Sequence, residues 1–414
     1  MVKAYQLVGM ERVMSQPVSP QSGALVLWLT AVPRALPGFA ATFVGIGMGR
    51  FSLTPLAPLL VAEHWLTAQA AAQAAALMLA GYAVGALSAA PLARLFGTDR
   101  CLWLALLVTV AALVGAAVFP DGAGQAVFRA VTGTTGGILM VLGPSAILRA
   151  TAAAARPAVS AVIYAGIGLG IALSGIVIPT VADAVSASWL IAGAALLGAL
   201  PGFRRAPPQP VLSQIATGQG GRWAGLKMPL PVLLLTLAYG LDAIGYIPHT
   251  VYWSSYIARE LGLGVGSGGS QWVLFGAGAV LGAPVAGVVA ARIGFRRAVP
   301  LALLLKATVV GLPLISDAAG VLAVSSILVG LLVPGVVALM SGRLAGVTEP
   351  HRLTGQWALM TGIFALFQAV GGVLHAQLFT LTGSYRPMFL VAALALVVAS
   401  AVAALPAGRR PETV

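Results

Sequence analysis

Two ionisable residues stand out because of where they fall. Arg50 lies about fourteen residues into an apolar stretch, ~21 Å of helical rise from its start. Asp242 lies at similar depth in a second apolar stretch. Charges in such surroundings cost ~2.5–3.5 kcal/mol each on insertion scales, and they face a cavity or a partner rather than hydrocarbon. The chemistry open to this pair is recognition of an anionic group by Arg50 and reversible protonation at Asp242. The alternative is a static ion pair between the two. In the first case, protonation of Asp242 responds to whether Arg50 is occupied by a solute or by Asp242 itself.

Asp242 belongs to a stripe. Tyr239, Asp242, Tyr246, His249 and Trp253 follow one another at spacings of three or four, which places them on one helical face. A polar and aromatic face of this kind is expected to line a cavity through Tyr239, Asp242, Tyr246 and His249. Trp253, with Tyr252 and Tyr256, reads as an interfacial aromatic belt. Elsewhere, Arg129 sits only six residues into its apolar stretch, so it either snorkels to the interface or serves a buried function. Gln356, Gln368, His375 and Gln377 bond across helices or face water. Gln368 is a candidate solute contact, and His375 reads as an interhelical bond. Gly45, Gly47 and Gly49 form a small-residue face for close helix packing. No strand precedes them, so they do not read as a phosphate loop. With Cys101 as the single cysteine and no Cys/His cluster at metal-ligand spacing, no metal or cofactor is expected. The ten carboxylates and four histidines are dispersed, which argues against an enzyme.

The elements that must position these residues are membrane-spanning helices. Of 414 residues, 59% are apolar and 8% charged. The mean hydropathy is +0.98. A soluble domain cannot cover its surface with so little polar material. Apolar stretches of about 20 residues, the length a bilayer requires, recur at 36–60, 66–90, 101–119, 123–148, 157–182, 187–203, 229–254, 269–291, 297–316, 319–342, 355–380 and 386–405. The abundant Gly and Pro are tolerated in such helices. The net charge of +13 does not point to nucleic acid, because the positives sit singly or in pairs between apolar runs. With the N-terminus inside, 18 of the 23 Lys and Arg fall on cytoplasmic segments and only Arg259 and Arg386 on the opposite side. Both termini are therefore expected in the cytoplasm of a bacterium, with the chain in its inner membrane. Residues 1–35 read as a cytoplasmic lead-in, 36–203 and 229–405 as two hydrophobic halves, 204–228 as a Pro- and Gly-containing linker, and 406–414 as a tail.

The halves repeat. At an offset of 196, Gly49 falls on Gly245 and Thr54 on Thr250. At an offset of 197, Gly97 in PLARLFGTDR falls on Gly294 in VAARIGFRR. Duplicated six-helix halves place a solute site between them near mid-membrane.

These features resemble the major facilitator superfamily over nearly the full chain. The loop after the second span resembles its motif A through Arg94, Leu95, Gly97, Asp99 and Arg100, with Arg94 at the usual acidic position. The second copy keeps Gly287, Arg292, Gly294, Arg296 and Arg297, with Ala291 at that position. The resemblance implies a gating role for these loops. Arg129, Gly133 and Gly137 in FRAVTGTTGG resemble motif B, whose arginine is associated with proton coupling. Gly166, Gly170, Gly175 and Pro179 resemble motif C loosely. GIGMGRFSLTPLAPLL and YGLDAIGYIPHT resemble the YbfB/YjiJ-type subgroup. In the resembled fold the first and seventh spans line the central cavity. The ninth is peripheral there, so Lys306 reads as snorkelling.

The expectation is thus an all-α membrane protein, twelve transmembrane helices in two pseudo-symmetric six-helix bundles. It moves a small organic anionic or zwitterionic solute by alternating access, coupled to protons or another ion, and works as a monomer without cofactor or nucleic acid. The expected solute contacts are Arg50, Tyr239, Tyr246, His249 and Gln368, and the expected coupling residues are Asp242 and Arg129. The alternatives are a drug or metabolite exporter, marked by an Arg50 sequestered by Asp242, and a non-transporting membrane sensor.

Overall fold

The computed structural model describes residues 32–151, 155–181, 183–203 and 228–405. The expected lead-in up to residue 31, the linker from 204 to 227 and the tail from 406 lie outside the described residues. Among the described residues twelve helices are long and apolar enough to cross a membrane: α1 (Val32–Ala62), α2 (Ala68–Phe96), α3 (Thr98–Val118), α4 (Gly122–Arg149), α5 (Ala158–Thr180), α6 (Ala184–Phe203), α7 (Leu230–Glu260), α8 (Gly264–Ile293), α9 (Phe295–Leu314), α10 (Ala319–Val347), α11 (Gly355–Thr382) and α12 (Arg386–Ala404).

Several helices outrun the apolar stretches that announce them. α1 begins at Val32 rather than 36, α8 at Gly264 rather than 269, and α10 continues to Val347 rather than 342. Helical hydrogen bonding does not stop where hydrocarbon does; it continues through polar residues until a cap ends it. Asp121 caps α4 by accepting from the backbone N–H groups of Ala123 and Gly124 at 2.9 and 3.0 Å. Asp183 caps α6, and the backbone N–H and hydroxyl of Ser186 hold its carboxyl below the usual carboxylate range.

The duplication is visible in the packing. In the first bundle, a Cβ on Gly81, Gly85 or Gly133 would meet backbone of the facing helix: the Ala130, Thr134 and Met78 carbonyls. Gly278, Gly282 and Gly330 stand the same way in the second bundle, against the carbonyls of Ile327, Leu331 and Phe275. The three pairs are each 197 residues apart. α2 and α4, like α8 and α10, approach closely because these side chains are missing. The bundles then meet along two equivalent seams, α5 on α8 and α11 on α2. Large apolar side chains such as Leu104, Leu107, Leu197 and Leu394 stay exposed on the outer faces, where lipid takes the place of a protein partner.

A third echo ties the ends of the bundles. α1 and α7 finish at the same end of the molecule, the far end. Glu63, just beyond α1, accepts from the backbone N–H of Ala184 at the start of α6 (2.8 Å) and from Trp65 Nε1 (3.2 Å). Glu260, the last residue of α7 and 197 positions on, accepts from the backbone N–H of Tyr385 (2.6 Å) and from Ser384 Oγ (2.7 Å), just before α12. Each carboxylate thereby satisfies donors that a helix start leaves open. Glu63→Ala and Glu260→Ala are each expected to lower stability by about 1–2 kcal/mol, and the double variant by roughly the sum, since the two sites share no partner. Melting temperatures of the purified protein check this; unchanged values in both single variants would show the ties to be idle.

Candidate functional site

α1 and α7 carry the charged residues, and both depart from regular α-helix where they do so. α1 is π-helical over Phe43–Phe51, and α7 over Pro248–Tyr252 and Tyr256–Glu260. Wider turns of this kind cluster at functional sites, because they re-aim side chains without ending the helix. Gly45, Gly47 and Gly49 let α1 settle against Leu139, Gly170 and Thr109 of three neighbouring helices. Arg50, at the end of the π-helical stretch, is turned inward and is 5% exposed.

Arg50 Nη2 donates to the hydroxyl of Tyr246 at 2.8 Å. One turn toward the far end, the Thr54 hydroxyl donates to the Thr250 carbonyl at 2.6 Å. Both contacts join residues 196 apart, so equivalent positions of the two halves meet on the pseudo-symmetry axis. The guanidinium is ringed by aromatic groups, with Cζ 4.9 Å from the Phe51 ring centroid, 5.1 Å from Tyr82 and 5.8 Å from Tyr246. These cation–π contacts help hold a desolvated cation. They supply no counter-charge, and Arg50 Nε is buried without a hydrogen-bond partner among the described residues.

Asp242 is not the partner of Arg50. Its Oδ1 accepts from Lys306 Nζ of α9 at 2.7 Å, with the two side chains 2% and 0% exposed. This corrects two expectations: Asp242 pairs within its own bundle, and Lys306 does not snorkel. The expected peripheral ninth span turns Lys306 inward, because a buried carboxylate on α7 offers the ammonium more than the distant interface does. Lys306 Nζ also lies 5.1 Å from the centroid of the Tyr246 ring. Tyr246 therefore stands between two buried cations, its hydroxyl on one and its ring beside the other. Arg50, Lys306 and Asp242 together carry one positive charge in excess.

The stripe on α7 divides. Tyr239 and Tyr246 face α11, where Tyr239 stacks on Trp357 (6.0 Å) and Phe364 (4.2 Å), and Tyr246 on Phe364 (5.9 Å). His249 lies inside the second bundle instead. It stacks on Trp253 at 4.2 Å and meets Phe389 edge-on at 5.3 Å, and its Nε2 is 2.8 Å from Ser325 Oγ. Ser325 already donates to the Val309 carbonyl at 2.7 Å, so His249 Nε2 carries the hydrogen of that contact. Nδ1 is left without a partner. Trp253, expected in an interfacial belt, is fully buried and donates to Ser326 Oγ at 2.9 Å; Tyr252 and Tyr256 are buried as well. The π-helical turns cause this division, since they break the three-or-four periodicity beyond Pro248.

Among the described residues no hydrogen bond joins the other candidates to Arg50. Arg129 is 1% exposed and does not snorkel; its Nε donates to Gln125 Oε1 at 3.1 Å, while Gln125 donates to the Ala116 carbonyl at 2.8 Å. No hydrogen bond or ion pair joins Arg129 to Asp242 or Arg50 among the described residues. Gln368 is fully buried with both amide atoms unpartnered. His375 Nδ1 is 2.7 Å from the Gly371 carbonyl of its own helix. Gln356 accepts from Thr348 at 2.6 Å. Arg94, Gly97, Asp99 and Arg100 are exposed where α2 turns into α3, as are Arg292, Gly294, Arg296 and Arg297 where α8 turns into α9. Gly97 (φ 85°) and Gly294 (φ 76°) make the same turn, one that L side chains rarely adopt. Sequence reasoning missed Tyr82, Phe364 and Gln125 as neighbours of the buried charges. Nothing in their spacing marks them, because they reach the charges from other helices.

Comparison with known proteins agrees with this architecture. The family model described as "Uncharacterised MFS-type transporter YbfB" matches residues 42–404. No sequence among curated proteins matches significantly. Two solved structures share the fold. The human organic anion transporter MFSD10 (TETRAN) is 18% identical with a TM-score of 0.65, the match covering 90% of this chain and 99% of that one. A D-xylose-proton symporter is 14% identical with a TM-score of 0.71, covering 91% and 98%.

Proposed function

The chain belongs to the YbfB-type family of major facilitator superfamily transporters, and from that premise we propose that it moves a small organic anion or zwitterion by alternating access, coupled to protons. One observation carries the reading: the buried polar group at the axis holds two cations and one carboxylate, leaving Arg50 with aromatic rings and a hydroxyl but no counter-charge. A buried cation without a counter-ion is costly, and an anionic solute is the group that would complete it. Asp242 is the proton-binding carboxylate, with Lys306 as its counter-charge. Tyr239, Tyr246 and Gln368 accompany Arg50 around the solute. His249 and Arg129 serve the proton side from within their own bundles. The exporter alternative needed Arg50 to be sequestered by Asp242; the Asp242–Lys306 pair favours the anion reading over it. Organic anion transport by one structural neighbour and proton symport by another accord with the same chemistry.

In this reading the chain works as a monomer in a bacterial inner membrane with both termini cytoplasmic. The bundles 36–203 and 229–405 rock about the axis where Thr54 meets Thr250. The loops around Gly97 and Gly294 gate the cytoplasmic side, and the 204–228 linker allows the bundles to move. Reconstituted into liposomes, the protein is expected to accumulate organic carboxylates when a proton gradient is imposed and to lose the accumulation with a protonophore. Equal accumulation of neutral analogues, or accumulation indifferent to the gradient, would refute the proposal.

A further inference from the structure

Arg50 offers an anion a specific edge. The side-on edge of a guanidinium consists of Nε and Nη2, two N–H groups pointing the same way in a fixed fork that matches the two oxygens of a carboxylate. In this structure Nη2 is held by the Tyr246 hydroxyl at 2.8 Å, and Nε is buried and unpartnered. Half of a bidentate site is thus filled by a hydroxyl, which can satisfy only one of the two donors. We propose that the Nε–Nη2 edge of Arg50 is a carboxylate site for which the Tyr246 hydroxyl is the placeholder, and that displacing this hydroxyl couples solute to proton. The proposal rests on the anion reading above and adds the solute's head group and the residue that reports its arrival.

The coupling follows from what else Tyr246 touches. Its ring centroid is 5.1 Å from Lys306 Nζ, which is bonded to Asp242. While the hydroxyl is on Arg50, the ring is fixed beside Lys306. A carboxylate that takes both Nε and Nη2 frees the hydroxyl, unfixes the ring and brings a negative charge into the surroundings that Tyr246 shares with Lys306. A proton that binds Asp242 breaks the pair and leaves Lys306 to the incoming anion. Solute and proton therefore favour one another's binding, and the linkage is reciprocal. The titratable groups around this centre are Arg50 on α1, Tyr82 on α2, Tyr164 on α5, Lys306 on α9, and Tyr239, Asp242 and His249 on α7. On α11, His375 is turned to the Gly371 carbonyl. Of these, Asp242 is the only carboxylate.

Tyr246→Phe removes the placeholder and keeps the ring. With benzoate as probe, binding to the purified protein is measured by calorimetry at about pH 6 and about pH 8, where carboxylates stay ionised. Wild type should bind benzoate more tightly at the lower pH and should bind neutral benzamide poorly. Tyr246→Phe should bind benzoate about tenfold more tightly, equivalent to ~1.4 kcal/mol, with its pH dependence flattened because the ring no longer reports the solute. Weaker or unchanged benzoate binding in Tyr246→Phe, with Arg50→Ala still abolishing it, would overturn the placeholder and leave the anion site standing. Equal binding of benzoate and benzamide to wild type, or no benzoate binding to either protein, would overturn the anion site and the placeholder together.

Discussion

Replacing Arg50 by alanine is expected to weaken organic carboxylates at least about 100-fold while leaving neutral solutes nearly untouched. Two charge-assisted hydrogen bonds to a carboxylate contribute about 1.5–3 kcal/mol each, and every 1.4 kcal/mol is a factor of ten in affinity. The same variant should not be unstable. Arg50 is buried with a hydroxyl, three rings and no carboxylate, so its removal relieves a desolvated charge instead of orphaning one. A melting temperature that holds or rises, alongside lost anion binding, identifies a cation kept for its ligand. A fall of several degrees with anions still bound would identify a structural cation. Arg50→Lys keeps the charge but not the fork, and should recover only part of the affinity.

Asp242→Asn is expected to abolish accumulation driven by a pH gradient and to leave solute exchange running. It should also cost about 3–5 kcal/mol of stability, the usual result of removing one partner of a buried pair and stranding the other. Lys306 is fully buried and has no second carboxylate among the described residues. The double variant Asp242→Asn with Lys306→Met removes both charges and should regain most of the stability without regaining accumulation. Separating the two readouts matters, because a single variant that merely misfolds would also fail to accumulate solute. If Asp242→Asn still concentrates solute against its gradient when protons drive it, the carboxylate is structural and the coupling lies elsewhere.

How much of this was legible in the sequence depends on which contacts are local. The twelve spans follow from apolar length, and the duplication from Gly49 and Thr54 recurring at an offset of 196 and Gly97 at 197. Arg50 was marked as buried by depth alone. Asp242's partner was not legible, since nothing in the sequence says which way α9 is rotated or that Lys306 reaches α7. Trp253 was read as interfacial from its place near the end of its span, and His249 was placed beside Tyr246 by the stripe. Stripe arithmetic assumes a constant period, and the π-helical turns after Pro248 carry His249 and Trp253 away from Tyr239 and Tyr246. That Arg50 and Tyr246 are equivalent positions, 196 apart, was present in the same alignment as Gly49 and Gly245. Their contact shows only once the axis between the halves is known.

The seam between α5 and α8 has a mechanical consequence. A Cβ on Gly276 would lie 2.9 Å from the Gly168 carbonyl, and one on Gly175 would lie 2.9 Å from that of Gly269. Bare backbone thus faces bare backbone across the boundary between the bundles. Side chains interlock beside these points: Val280 Cγ2 would lie 2.5 Å from a Cβ on Gly168 and Pro179 Cγ 2.4 Å from one on Gly269, and Trp272 Nε1 donates to Ser174 Oγ across the seam at 3.2 Å, so α5 and α8 are keyed to one another. The Glu63 and Glu260 ties, by contrast, lie within single bundles and do not cross that seam. The glycines that admit Val280 and Pro179 thereby fix the register of one bundle against the other, and a larger residue at Gly168 or Gly269 is expected to push the two apart.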